Sequence, residues 1–275
     1  MRTRVVITGL GAISPLGHDV STLWEGLLAG RSGAGPITHY DTTGHKVQIA
    51  AEVKDFDGVT IFGRGEARRM DRFSQFAVVT ARQAVEHARL IINENNRDRI
   101  GVILGTGVGG LTTLFEQMQV FAGRGPDRVS PFLVPMMLPD SAPGMVAIYL
   151  GVRGPNLAVV SACASGTNAL GEAAEVIRRG DADVILTGGS ESVIVPIAIA
   201  GMAVMSALST RNHDPERASR PFDKDRDGFL MGEGSAVLVL ESLEHALGRG
   251  APILAEVTGY GTSNDAYHIS APAEN

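Results

Sequence analysis

The chain has 275 residues, 44% of them hydrophobic and 20% charged, with 34 glycines and one cysteine. Lys+Arg 24 against Asp+Glu 30 gives a net charge of −6, which argues against a nucleic-acid binder. A single cysteine excludes an internal disulfide framework and fits a reducing cytoplasm, and no apolar run reaches the about 18 residues that suggest a membrane span.

The opening MRTRVVITGLGAI is basic and then apolar, but Thr8, Gly9 and Gly11 break the run. It predicts a first strand followed by a Gly-rich turn within 4–17, not a signal peptide. Pro15 and Gly17 make the next segment a loop, so a helix is expected from near Asp19 or Ser21 toward Leu28. That start is too late for the Gly9–Gly11 turn to cradle a phosphate. Residues 64–90 predict one long helix. Arg64, Arg68 and Arg72 recur along it with Arg69 alongside. They form either a solvated face paired in part with Glu66 and Asp71 or a basic dock for an acidic protein.

Ile100–Gly105 predicts a buried strand that runs through Thr106–Gly110 into a helix from Leu111 to Phe121. Gly105, Gly107 and Gly110 spell G-x-G-x-x-G, which admits a nicotinamide-cofactor alternative. That fingerprint also wants an acidic residue ending the next strand about 20 residues on, and here the region is the loop Gly123–Asp127. Pro126, Pro131, Pro135, Pro139 and Pro143 argue for an irregular excursion across 123–144.

Leu157–Val160 is short, apolar and partly β-branched, the pattern of a buried strand. Leu170, Ala173, Ala174 and Ile177 then recur as one helix face, and Arg178, Arg179 and Gly180 mark its end. Between them lies Cys163, placed where a strand ends and a helix begins. There the helix dipole and free N–H groups favour a thiolate and can steady an oxyanion. The competing reading is a buried structural cysteine. Ala162, Ala164, Ser165 and Gly166 leave room for a substrate.

Ala182–Gly189 predicts another buried strand. Ser190 and Glu191 follow it without a G-x-S-x-G elbow, as loop-capping polar residues. Asp223, Asp225, Asp227 and Gly228 imitate a calcium loop, but Gly234 stands where the bidentate Glu belongs and the acid is Glu233, so no metal site is expected. A central strand over 235–241, a helix over 242–249 and a strand over 253–257 complete the pattern. Apolar strands alternating with helices through glycine turns predict an α/β protein whose sheet is covered on both faces.

The stretch Val160–Ala169 resembles the active-site signature of the β-ketoacyl-acyl-carrier-protein synthases, most closely the elongating subtype. Val5–Gly11 and Ser14–Gly17 resemble the family's opening, and Arg220–Asp223, Asp227–Phe229 and Gly232–Gly234 a later landmark. Asp265–His268 resembles the start of its second half. The resemblance implies a thiolase-like layered αβαβα fold, with residues 1–250 as the N-terminal half and 251–275 as the opening of a truncated second half. It implies a cytoplasmic homodimer with the strand before Cys163 near the two-fold axis, no cofactor and an acyl carrier protein as partner. Cys163 is then the nucleophile. Val108, Leu133, Met202, His268 and Ser270 bind substrate, and Arg64, Arg68 and Arg69 dock the carrier.

The implied reaction is decarboxylative Claisen condensation through acyl-Cys163, with a thiolase-type acyltransfer as the alternative. The family's second step uses histidines in strings like N-A-H-G-T and K-S-x-x-G-H, and neither string occurs here. The chain is therefore expected to be a fragment, inactive in full condensation and exposing a large apolar face.

Overall fold

The computed structural model describes residues 3–274. In chain order the elements are β1 (Val5–Ile13), α1 (Val20–Leu28), β2 (Gly35–Pro36), β3 (Ile49–Ala50), α2 (Gly58–Ala67), α3 (Arg72–His87), β4 (Ile100–Gly105), α4 (Leu111–Arg124), α5 (Leu133–Met137) and α6 (Ser141–Leu150). There follow β5 (Asn156–Val159), α7 (Ser165–Arg178), β6 (Val184–Glu191), α8 (Pro196–Val204), β7 (Gly234–Ser242), α9 (Leu243–Gly248) and β8 (Ala255–Glu256). Six strands form one mixed sheet in the order β5-β4-β6-β7-β1-β8. β5, β4 and β6 are mutually parallel, whereas β7 is antiparallel to both β6 and β1.

The sheet is covered on both faces, as the uninterrupted apolar strands require. On one side Val102 and Leu104 of β4, Leu186 of β6 and Val237 and Val239 of β7 pack under Phe73, Ala77 and Ala81 of α3 and Val146 of α6. On the other, Ile103, Ile185 and Leu240 meet Ala169, Ala173, Ala174 and Ile177 of α7. Alternate residues of one strand thus serve opposite layers. The helix expected from Asp19 forms as predicted, with the Asp19 carboxylate capping α1 by accepting from the Thr22 N–H at 2.8 Å. The strand expected over 253–257 shortens to β8, which lies antiparallel beside β1 with Val6 opposite Glu256.

Two expectations are corrected. The helix predicted over 64–90 is broken: α2 ends at Ala67 and α3 begins at Arg72. Asp71 makes the break, because its carboxylate accepts from the Phe73 N–H to cap α3 and from the Thr113 N–H at 2.8 Å and hydroxyl at 2.7 Å. Burial pushes the Asp71 carboxyl up from the ordinary range, against those hydrogen bonds. Nor is 123–144 wholly irregular. Pro135 and Pro143 fall in the first turns of α5 and α6, where a backbone N–H has no intrahelical acceptor to lose.

At the sheet end where β6 begins, Glu241 is fully buried opposite Val184. It accepts from the Thr8 hydroxyl at 2.5 Å, from His245 Nδ1 at 2.6 Å and from Arg249 at 2.9 and 2.5 Å. Burial alone would raise this carboxyl. The hydrogen bonds from Arg249, His245 and Thr8 and the Arg249 charge outweigh burial and hold it down at about 2.

Candidate active site

The parallel strands β4, β5 and β6 all end at one edge of the sheet, the place where α/β sheets put their chemistry. After β5 the chain makes a single 3-10 turn, Ala162–Ala164, and enters α7. Ala162 takes a left-handed φ of 51°, which costs a non-glycine residue on the order of 1 kcal/mol or more. That reversal throws the next residue, Cys163, out to solvent. Ser165 and Asn168 of α7 clamp the turn. The Ser165 hydroxyl accepts from the Ser161 N–H at 2.9 Å and donates to the Ala162 carbonyl at 2.7 Å. Asn168 donates its amide to the Ser161 hydroxyl at 2.7 Å. The sulfur is therefore not a buried structural thiol. It stands at the N-terminal end of a 14-residue helix.

Cys163 lines a cavity of about 460 Å³. Val108 from the β4–α4 turn, Met202 from α8 and the segment Phe229–Met231 share its wall, so three of the sequence-predicted residues meet here. The lining is mainly apolar, suited to an acyl chain.

The G-x-G-x-x-G turn has another occupant than a dinucleotide. Glu191 Oε2 accepts from the N–H groups of Gly107 at 2.6 Å and Val108 at 3.0 Å. Its Oε1 accepts from the Thr106 hydroxyl at 2.8 Å and the Gly109 N–H at 3.3 Å. The protein's own carboxylate fills the anion-binding nest, which removes the nicotinamide alternative for this turn. Gly105 has a packing reason: a Cβ there would lie 2.3 Å from the Ser165 backbone, so only glycine lets α7 and the cysteine turn approach β4.

A second carboxylate anchors the far wall. Glu233 follows the Phe229–Met231 segment and accepts from the Ser192 hydroxyl at 2.6 Å, the Val53 N–H at 2.9 Å and Arg72 at 3.0 and 3.1 Å. Arg72 also donates to the Val53 carbonyl at 2.8 Å and lies over the Phe76 ring. It is an internal strut and does not belong to an exposed basic stripe.

The remaining predicted residues lie elsewhere. Leu133 begins α5, which meets the Gly110 end of the turn through a Gly110 N–H to Met137 carbonyl bond of 3.2 Å, but Leu133 is not on the cavity wall. His268 and Ser270 sit exposed in the C-terminal segment, where the Ser270 N–H donates to His268 Nδ1 at 3.1 Å, and neither lines the cavity. Arg64, Arg68 and Arg69 are exposed together at the end of α2. Arg69 is partly engaged, 3.3 Å from Glu66 and over the Phe132 ring. In the calcium-like loop Asp227 accepts from the Ser209 hydroxyl at 2.7 Å and Asp223 from the Asp225 N–H at 2.7 Å. Among the described residues no group of three or more His, Cys, Asp or Glu side chains converges as a metal site, and no helix is long and apolar enough to cross a membrane.

Sequence reasoning missed the clamp by Ser165 and Asn168, the Glu191 grip and the Phe229–Met231 wall. Only the last had a local signal, an apolar triplet bracketed by Gly228 and Gly232.

A family model described as the N-terminal domain of β-ketoacyl synthase matches residues 2–246. The chain belongs to the β-ketoacyl synthase family. Over 98% of its length this synthase chain is 52% identical to a 3-oxoacyl-[acyl-carrier-protein] synthase 2 of Synechocystis sp. and 55% identical to one of Staphylococcus aureus. It spans 65% of the length of each of these relatives. The crystal structure of a β-ketoacyl synthase from Burkholderia phymatum superposes with a TM-score of 0.89 at 34% identity, covering 98% of this chain and 66% of that one. A type II PKS acyl-carrier protein in complex with its ketosynthase bound to the hexaketide superposes at 0.85 with 32% identity, over 98% of this chain and 65% of the other. The β-ketoacyl synthase chain thus has the thiolase-like fold of these neighbours.

Proposed function

We propose that this chain carries the acyl-loading machinery of a 3-oxoacyl-acyl-carrier-protein synthase that elongates fatty-acid or polyketide chains. The observation that carries the proposal is Cys163, exposed on a strained turn at the mouth of α7 and on the wall of a largely apolar cavity, in a chain of this family. The Cys163 thiolate attacks the carbonyl of an acyl thioester. The S–acyl bond forms as the thioester C–S bond breaks, and the departing thiolate takes a proton. Val108 and Met202 flank the bound chain.

For the whole protein the proposal continues to decarboxylative condensation with a malonyl carrier protein. That step needs donors for the enolate charge, and the expected histidine strings are not among these residues. The partner proposed is an acidic acyl carrier protein docked on Arg64, Arg68 and Arg69. We also propose a homodimer in the cytoplasm, supported by β5 at the open end of the sheet, with Leu157 exposed in it and Val160 exposed just after it.

Mass spectrometry of the chain after exposure to an acyl thioester tests the proposal. The expected result is one acyl adduct on Cys163, absent in Cys163→Ser; an unmodified wild-type thiol refutes it. In the same assay, reversing Arg68 and Arg69 to Glu should slow loading from a carrier-bound thioester by about tenfold at low salt, with the deficit shrinking as salt rises. Loading from a small-molecule thioester should not change, and an equal loss from both donors would exclude the dock.

A further inference from the structure

Glu191 reaches the Thr106–Gly109 turn from the end of β6, while the cysteine turn flanks it from the end of β5. β4 lies between the two strands, with Gly105 registered against Gly189 on one side and Val159 on the other. The turn is stitched to both neighbours: the Thr106 N–H donates to the Val159 carbonyl at 3.2 Å, and the next N–H groups point at Glu191. Gly107 occupies the narrow gap. A Cβ there would lie 3.0 Å from Glu191 Oε2 and 3.5 Å from the Ala162 carbonyl. Val108, held by its N–H at 3.0 Å from the same oxygen, is half exposed on the cavity wall.

We infer that Glu191 is a positioning residue for acyl-chain selection: its carboxylate fixes the backbone of the 106–109 turn and so sets how far Val108 stands into the cavity beside Cys163. The inference rests on the acyl-loading reading of that cavity. Its physical basis is the pairing of two oxygens with four donors. Oε2 serves Gly107 and Val108, and Oε1 serves Thr106 and Gly109. An amide of the same shape keeps one acceptor and turns an NH2 toward the other pair of donors. The turn then loses half its grip, and Val108 is free to retreat and deepen the pocket. A shorter carboxylate keeps both acceptors.

The experiment compares wild type, Glu191→Gln and Glu191→Asp for Cys163 loading across acyl thioesters of increasing chain length, with iodoacetamide alkylation of Cys163 as a size-independent control. Glu191→Gln should raise the ratio of long-chain to short-chain loading about tenfold while alkylation stays within about twofold of wild type, and Glu191→Asp should return most of the original ratio. An unchanged ratio overturns the inference. So does a uniform fall in loading and alkylation together, which is what a purely structural cap would give. If Glu191→Gln does not fold, Thr106→Val removes one donor to Oε1 and the hydroxyl acceptor of the Gly109 N–H, whose bond to Oε1 remains, and should move the ratio in the same direction by a smaller factor; no movement there overturns the inference too. A wild-type Cys163 that takes no acyl group from any thioester overturns the loading reading and this inference with it. Loading with an unmoved ratio overturns only the inference.

Discussion

Glu191 and Glu241 mark opposite ends of the same sheet, and they are satisfied in opposite ways. Glu241, at the end where β6 begins, is fully buried and held by Arg249, His245 and Thr8. Glu191, at the cavity end, is half-buried and held by three backbone N–H groups and one hydroxyl, with no cation among these partners. Arg249 also donates to the carbonyls of Ala88 and Arg89, so the first carboxylate ties α3, α9, β1 and β7 together. The second ties only a turn. Charge pairing holds the fold at Glu241, neutral dipoles hold the turn at Glu191, and the cavity's far wall at Glu233 draws on both, a guanidinium and a hydroxyl.

That contrast can be broken most forcefully at Glu241. Replacing it by Ala leaves the Arg249 guanidinium without its carboxylate and should destabilise the chain by about 3–5 kcal/mol in chemical denaturation. Cys163 alkylation in the folded fraction should be unchanged, and a slowed thiol would show that the two ends are not independent.

Acid sharpens the same point. The Glu241 carboxyl titrates at about 2 in the fold against an ordinary 4.5, so its contribution is complete above the ordinary value and is lost as pH falls from there toward 2. The loss amounts to about 3 kcal/mol. It should appear as a falling limb in stability against pH over that window, flattened in Glu241→Gln; an equally steep limb in the variant would assign it to other groups.

At the cavity end the expected effect is smaller. Gly105→Ala would press a methyl into the Ser165 backbone and should cost about 1–3 kcal/mol. Here Cys163 reactivity should change along with stability, the reverse of the Glu241 result. A stability loss with an unaltered thiol would show that α7 can shift without carrying the cysteine turn.

How much of this could be read in advance follows the range of the forces. Strands such as Ile100–Gly105 and Ala182–Gly189 were legible because burial on both faces writes an unbroken apolar run. The cysteine's place between a strand and a helix was legible, but the strand before it, expected to be buried, is the exposed edge strand β5, because the apolar run does not show which neighbours cover it. The break at Asp71 was hidden by arginines spaced as if on one helix, since a cap depends on one side chain turning back to the backbone. Ser190 and Glu191 were expected as loop-capping residues after the strand; both are instead the last residues of β6 itself, with Ser190 buried and donating to the Phe73 carbonyl at 2.6 Å. What Glu191 caps could not be read, because its partners lie more than 80 positions away in the chain and nothing local names them. Asn168 was opaque for the opposite reason: a polar residue in an early helical turn has many ordinary explanations.

The unpaired side of β5 has a practical consequence. Among the described residues its outer edge pairs with no strand, and it carries Leu157 at 50% exposure, only a few residues from Cys163. Any strand that adds there, whether from a proper mate or from a neighbour in a concentrated stock, lies directly against the cysteine turn. Aggregation of this protein would therefore begin beside its exposed Cys163, and ageing preparations would lose titratable sulfur while their helical signal was still intact.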